Sequence, residues 1–459
     1  MGVHLLTYDV RLYTIRQRPG RRLPFELRWK VGSKPHSKSY ATKTLATGRL
    51  AEIRTAMKNG EEFDQESGLP VSELRKQTEG TWYDHAVAHA KMKWSRSSAK
   101  ARAARADALA TVTPALVTDH RGAPNPRVLR RALSCWAFNF SDHRPDPPEE
   151  IEAALAWIAR KSVKIGQLAD SDTVRLGLEA LSHLLDGSVA ADNTITRKRM
   201  VYNNALQYAV ERRKLPANPL QFVDWTPPET DDEIDFRWVP SPQQGRALID
   251  AVGKVSPRGR HLKAFFGCIL YAATRPSEAL DIRLSNCTLP EEGWGSLLLA
   301  GSSPGVGSRW TDDGEAHEER GLKRRARKAT RPVPIPPALV QLLREHVTEF
   351  GVAADGRLFR ASAGGKLLSK EWSAVWKEAR KLALTPEEAE TPIAGVPYSC
   401  RATAVSGWLV AGVDPVEVAR RAGHSVAVLL RFYAKIVAGR EDHANALIER
   451  FLGGTDLEK

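Results

Sequence analysis

The sequence predicts a mainly α, multidomain protein. A small N-terminal α+β module comes first, then a helical domain, then a mixed, mostly helical domain carrying a small antiparallel sheet. Three observations lead there. The 459 residues exceed what one ordinary hydrophobic core organises. Strand-like runs are confined to the N-terminus and to WGSLLLAG and RPVPI, while helical apolar spacing fills most of the rest. Between residues 226 and 240, TPPETDDEIDFRWVPSP is proline-rich, acidic and aperiodic, which places the main domain boundary there.

In chain order, VRLYTIR and FELRWKV read as strands, and RPGRRLP and GSKPHSKS read as turns. KTLATGRLAEIRTAMKNGEEF then has helical spacing through Leu45, Leu50, Ile53 and Met57, with Gly60 as its stop. Arg16, Arg18, Arg21, Arg22, Lys30 and Lys34 give this module the charge of a nucleic-acid contact or of a solvated basic sheet.

After a polar connector at Leu69 and Pro70, TWYDHAVAHAKMKW places Trp82, His85, Ala86 and His89 along one helix side. SSAKARAARADALATVTPALV sets Lys100, Arg102 and Arg105 on an Ala-rich helix, which suits either a phosphate track or a solvated face. PEEIEAALAWIARKS, SDTVRLGLEALSHLLDG and TITRKRMVYNNALQYAVERRKL continue the helical domain, the last with Arg197, Lys198 and Arg199 near its entry, where Arg197 and Lys198 are expected to contact a nucleic-acid backbone.

Beyond the boundary, ALIDAVGKV and HLKAFFGCILYAA read as helices. In ATRPSEALD, Pro276 suits the first turn of a new helix, so Arg275 sits at a junction with Glu278 close enough to orient it. A surface salt bridge is the plainer reading of that pair. The strand WGSLLLAG is followed by a polar insertion from Ser302 to Gly321, and then by LKRRARKATRPVPIPP. Its hairpin brings Lys323 or Lys328 forward, with Arg324 and Arg325 as phosphate-facing cations. PPALVQLLREHVTEF and KEWSAVWKEARKLAL are further helices, with Trp372 and Trp376 as core residues.

Charge narrows the partner. Lys and Arg number 68 against 54 Asp and Glu, a formal net charge of +14, which points to a polyanion and first to nucleic acid. No stretch has the roughly 18 apolar residues of a membrane span, and the N-terminus lacks a signal-peptide pattern, so a soluble intracellular protein is expected. The four cysteines, Cys135, Cys268, Cys287 and Cys400, have neither zinc-ligand nor C-x-x-C spacing and read as small core residues.

The chemistry concentrates between Tyr398 and Tyr433. There Arg401 opens an apolar helix, Gly423 and His424 close another, and Tyr433 follows His424 by nine residues. Breaking a phosphodiester without a metal needs fixed cations on the non-bridging oxygens, a positioned nucleophile and an acid for the leaving oxygen. Arg275 and Arg401 have the planar fork that matches phosphate. His424 can hydrogen-bond phosphate or take a proton, Lys323 can supply the acid and Tyr433 the nucleophile.

The order ATRPSE, basic hairpin, VPIP, YSCR, AGHS and Tyr433 resembles the tyrosine recombinase, or phage integrase, family over roughly residues 235 to 455. Arg275, Arg401, His424 and Tyr433 fall on that family's catalytic positions, and Glu278 on the acidic residue that commonly follows the first arginine. Tyr398 stands where the family usually has a histidine, and the usual hairpin-lysine spacing lands on Ala326, leaving Lys323 or Lys328 to serve. The resemblance implies an arm-type DNA-binding module over 1–75, a core-binding domain over 79–225, a linker over 226–240 and a catalytic domain over 241–459. It also implies strand exchange through a 3′-phosphotyrosine with no cofactor or metal. A homotetramer on double-stranded attachment sites and an accessory excision factor follow, with a place in the bacterial cytoplasm at the nucleoid and a role in moving a phage or other mobile element. A tail helix with Ala444, Leu447, Ile448 and Phe451 on one face would pack on a neighbour or on its own domain. Two other readings share the scaffold: a non-catalytic DNA-binding regulator and a type IB topoisomerase.

Overall fold

The computed structural model describes residues 5–73, 80–226, 235–323, 326, 328–431, 445, 446, 448, 449 and 452. The fold is mainly α with small antiparallel sheets. The chain divides into two compact units, the first made of Met1–Ser97, Ala101–Phe140 and Pro145–Pro228 and the second of Glu229–Lys459 with the short stretches Ser98–Lys100 and Ser141–Arg144.

The first unit opens with short strands β1 (Leu6–Thr7), β2 (Val10–Leu12) and β3 (Arg16–Gln17), then the longer β4 (Phe25–Val31) and β5 (Lys34–Tyr40). β2 and β3 share one edge of β4, and β5 takes the other, all antiparallel. Alternation along β4 turns Leu27, Trp29 and Val31 inward against Ile53 and Ala56 of α1 (Lys43–Lys58), as period-two and period-3.6 faces must to share a core. β6 (Phe63–Asp64) pairs with β1.

β5 corrects the sequence reading, which made GSKPHSKS a turn. Only Gly32 and Ser33 turn, because Val31 pairs directly with Lys34 and Gly32 supplies the positive φ of 57° that a two-residue hairpin needs. The strand was hidden because it is a polar edge whose side chains are mostly solvated, so it has no apolar period to read.

The rest of the first unit is helical: α2 (Trp82–Trp94), α3 (Ala99–Val112), α4 (Pro126–Ala132), α5 (Glu149–Lys161), α6 (Ser171–Leu181) and α7 (Asp192–Glu211). Thr81 and Asp84 form a reciprocal cap at the start of α2. Trp82 of α2 is fully buried edge-on to Tyr202 of α7, ring centroids 5.5 Å apart.

In the second unit, α8 (Pro242–Val255) and α9 (Pro257–Tyr271) are followed by the single turn α10 (Pro276–Ala279) and by β7 (Cys287–Thr288), β8 (Gly295–Leu299) and β9 (Arg331–Ile335). β8 is the central strand of that antiparallel sheet. Then come α11 (Pro337–Phe350), α12 (Ser369–Ala383), the short α13 (Pro386–Glu390), α14 (Ser399–Val410) and α15 (Pro415–Ala422). One core joins Phe265 and Phe266 of α9, Leu339 and Leu343 of α11, Trp376 of α12 and the inward Leu297, Val333 and Ile335 of the sheet. A second, smaller core uses Ala402, Val405, Ala419 and Ala422, whose small side chains let α14 and α15 approach closely. Among the described residues, no helix is long and apolar enough to cross a membrane.

Candidate active site

Several segments distant in sequence meet at one buried carboxylate. Pro276 starts α10, and Glu278 reaches back to accept the backbone N–H of Arg275 at 2.9 Å and its guanidinium Nη1 at 2.7 Å. Arg331, the first residue of β9, gives both terminal nitrogens to the same carboxylate, at 3.2 and 2.7 Å. Glu278 and Arg331 are 1% and 2% exposed, whereas Arg275 remains 19% exposed. Burial pushes the Glu278 pKa up, but the charges of Arg331, Arg275 and Arg401 outweigh it and hold the carboxyl at about 2. It is therefore ionised at neutral pH.

Arg401, on the first turn of α14, is 1% exposed. Its guanidinium donates to the carbonyls of Ala273 and Ala422 and, at 2.8 Å, to Nε2 of His424. Ala422 ends α15, so its oxygen carries the partial negative charge of a helix C-terminus, and Ala273 lies just past the cap of α9. Ala273 takes a left-handed φ of 48°, a costly conformation for alanine, two residues before Arg275. Burial and the nearby charge of Arg275 lower the Arg401 pKa to about 10, which leaves it protonated.

His424 follows Gly423, the left-handed cap of α15, with φ 68°. Because an arginine N–H only donates, Nε2 of His424 must accept, and in the neutral ring the proton sits on Nδ1. That Nδ1 is buried and has no hydrogen-bond partner among the described residues. Burial, then the charges of Arg401, Arg275 and Arg331, push the imidazole pKa down to about 3. Gly423 also touches the cluster: its carbonyl accepts from Arg275 at 3.3 Å, and an added Cβ would lie 2.1 Å from Nη1 of Arg331.

Tyr398, 48% exposed at the N-cap of α14, lines a cavity of about 490 Å³ together with Arg275, Glu278 and Lys323. Lys323 is exposed in its turn. Lys328, also exposed in a turn, is not among the lining residues. Tyr433, Arg324, Arg325, Ala444, Leu447 and Phe451 lie outside the described residues.

The helical-domain cations divide. Lys100 is exposed on the first turn of α3. Arg102 is 4% exposed, with its guanidinium 4.5 Å from the Trp94 ring centre and Nε donating to the Trp94 carbonyl. Lys198 is 4% exposed and donates to Thr111 at 3.0 Å. Arg102 and Lys198, expected as DNA contacts, thus lie on sides of α3 and α7 that face the interior. Arg105 is half-buried and bonds Ser97, whereas Arg197 is 53% exposed beside Asp107.

The residue that the sequence reading missed is Arg331. A signal was present, because in RPVPI the period of two puts Arg331 in the same inward register as Val333 and Ile335. An arginine on a core-facing strand position calls for a buried anion.

No family model matches the sequence. No curated protein matches it either. Solved structures similar to the chain include three bound to DNA. The Tn1549 transposon integrase on a circular intermediate DNA is 15% identical over 67% of this chain and 96% of its own, with a TM-score of 0.47. The XerH site-specific recombinase on its difH substrate is 11% identical over 81% and 95%, with a TM-score of 0.45. A lambda integrase dimer on a core site is 10% identical over 61% and 90%, with a TM-score of 0.40.

Proposed function

We propose that the chain is a site-specific DNA recombinase, an integrase that cuts and rejoins strands through a 3′-phosphotyrosine on Tyr433 to move a phage or another mobile element. One observation carries the reading: Arg275, Arg401 and His424, scattered over some 150 residues, converge on one cluster that holds more positive than negative charge. A phosphodiester is the anion such a site fits.

In this reading Arg275, the more exposed arginine, grips a non-bridging oxygen. Arg401 supplies charge from beneath and holds the imidazole of His424, the group that hydrogen-bonds the phosphate. Tyr433 Oη passes its proton to water as it attacks phosphorus, the cations of the pocket favouring the phenolate. The P–O5′ bond breaks as Lys323 protonates the leaving oxygen, leaving a 3′-phosphotyrosine and a free 5′-hydroxyl. A second strand's 5′-hydroxyl reverses the step. Tyr398, at the edge of the cavity, assists as a hydroxyl where the related motif has a histidine. The arm-type module spans 1–75, the core-binding domain 79–225 and the catalytic domain 241–459, joined by the 226–240 linker. The working form is a homotetramer on two attachment sites in the bacterial cytoplasm, and an accessory factor governs excision.

The test uses a duplex selected from a random pool by the full chain and then nicked to trap cleavage. Wild type should form a denaturant-resistant adduct, and Tyr433→Phe should bind the same duplex without one. A wild type that binds but leaves no adduct would be a regulator. Relaxation of supercoiled DNA without strand exchange would make it a topoisomerase.

A further inference from the structure

A guanidinium paired with its own carboxylate is a poor phosphate ligand, because the pair is neutral. Arg275 is in that position: Glu278 accepts from both its backbone and its side chain. Orientation alone would then come at the cost of the charge that grips the substrate. The structure resolves this conflict with a second cation. We propose that Arg331 is a positioning residue for strand cleavage: it serves as the counter-ion of Glu278, so that the carboxylate can aim Arg275 while the charge of Arg275 stays available to the scissile phosphate.

Four features support this role. Arg331 meets Glu278 with both terminal nitrogens, the bidentate geometry in which a guanidinium best matches a carboxylate. The pair is buried, so water does not screen it and its charges must balance locally. The carboxylate receives two bonds from Arg331 against one from the Arg275 side chain, so its charge is satisfied chiefly from the interior. Finally, the left-handed Gly423 leaves room where any Cβ would strike Nη1 of Arg331, which packs the counter-ion directly beneath the residue that precedes His424.

The proposal rests on the recombinase reading, and the experiment separates the two. The full chain is assayed on the selected nicked duplex, made once with an ordinary scissile phosphate and once with a neutral methylphosphonate at that position. Wild-type adduct on the ordinary duplex tests the reading itself, and its absence overturns reading and proposal together. Given that adduct, Arg331→Met should bind the duplex as wild type does but cleave the ordinary phosphate about 100-fold more slowly, the scale of losing one preorganised charge contact. On the methylphosphonate, where no anionic oxygen needs the freed charge, its deficit against wild type should shrink to within about threefold. Equal deficits on both duplexes would mean that Arg331 is merely structural and would overturn the proposal alone. Arg331→Lys retains the cation without the fork and should show a smaller deficit with the same substrate dependence. It carries the test if Arg331→Met fails to fold. Glu278→Gln combined with Arg331→Met should restore part of the cleavage lost by Arg331→Met, since it removes the anion that captures Arg275.

Discussion

Two clusters in this chain have the same count of charges and different surroundings. In the first unit, Arg130, Lys198 and Arg197 surround the carboxylate of Asp107. In the second, Arg275, Arg331 and Arg401 surround Glu278. Each sets three cations about one anion. Asp107 is 34% exposed and Arg197 53%, so water and counter-ions absorb the surplus of the first cluster. Glu278 and Arg331 are nearly sealed, and the surplus of the second is met by the carbonyls of Ala273, Ala422 and Gly423. Only the second cluster therefore keeps its surplus positive charge away from bulk screening, offset by fixed carbonyl dipoles alone. The same count of charges is left to solvent in one cluster and sealed from it in the other.

The sharpest way to break that comparison is to remove the buried anion. Glu278→Gln leaves three guanidiniums facing each other without a counter-charge, and should destabilise the second unit by about 3 to 5 kcal/mol. Hydrogen exchange in α9 and α14 of the full chain reads the loss. A change as small as that of a surface pair would mean that the carbonyls alone carry the charges.

Next in size is Gly423→Ala. The left-handed φ of 68° and a Cβ only 2.1 Å from the Arg331 guanidinium both oppose it. The expected cost is about 1 to 3 kcal/mol, with His424 displaced from Arg401. A crystal structure of the variant with the Arg401–His424 contact intact would contradict the second part.

These clusters also show what the sequence could and could not reveal. Arg275, Arg401 and His424 were legible because each lies beside local punctuation: Pro276 at a helix start, the apolar run of α14, and Gly423 at a helix end. Arg331 was not, since the densely basic run before it made one more arginine look like surface. For the same reason Arg102 and Lys198 were read as outward cations: a helix records which residues share a face, but their charge suggested solvent where Trp94 and Thr111 were waiting. Helices with strong apolar periods were found, whereas the polar edge strand β5 was not. Burial of a charged side chain depends on its partners, and partners distant in the chain leave no local trace.

Acid offers a graded test of the second cluster. His424 is held at about 3 when folded by burial and by Arg401, Arg275 and Arg331, with Glu278 opposing, whereas an unfolded histidine titrates near 6.5. Between those values the unfolded chain binds the extra proton, so the contribution of neutral His424 is complete above about pH 6.5 and is lost as pH falls toward 3. The slope from this one group is at most about 1.4 kcal/mol per pH unit. His424→Gln should flatten the acid limb measured in α15 by hydrogen exchange between pH 6.5 and 4. An unchanged limb would assign the acid sensitivity to the other histidines of the second unit whose pKa burial lowers, His261, His317 and His346.

The smallest expected effect belongs to the solvated cluster. Asp107→Asn removes the anion from among Arg130, Lys198 and Arg197, formally the same operation as Glu278→Gln. Lys198 is the one member at risk, because it is 4% exposed, but it keeps its bond to Thr111. Burial already lowers its pKa, which eases release of the proton if the charge becomes unfavourable. Arg130 and Arg197 keep access to water. The loss in the first unit should stay below about 1 kcal/mol and shrink as salt is added. If Asp107→Asn instead cost as much as Glu278→Gln and resisted salt, exposure would not be what separates the two clusters, and the case for an unscreened surplus of charge at Glu278 would fall with it.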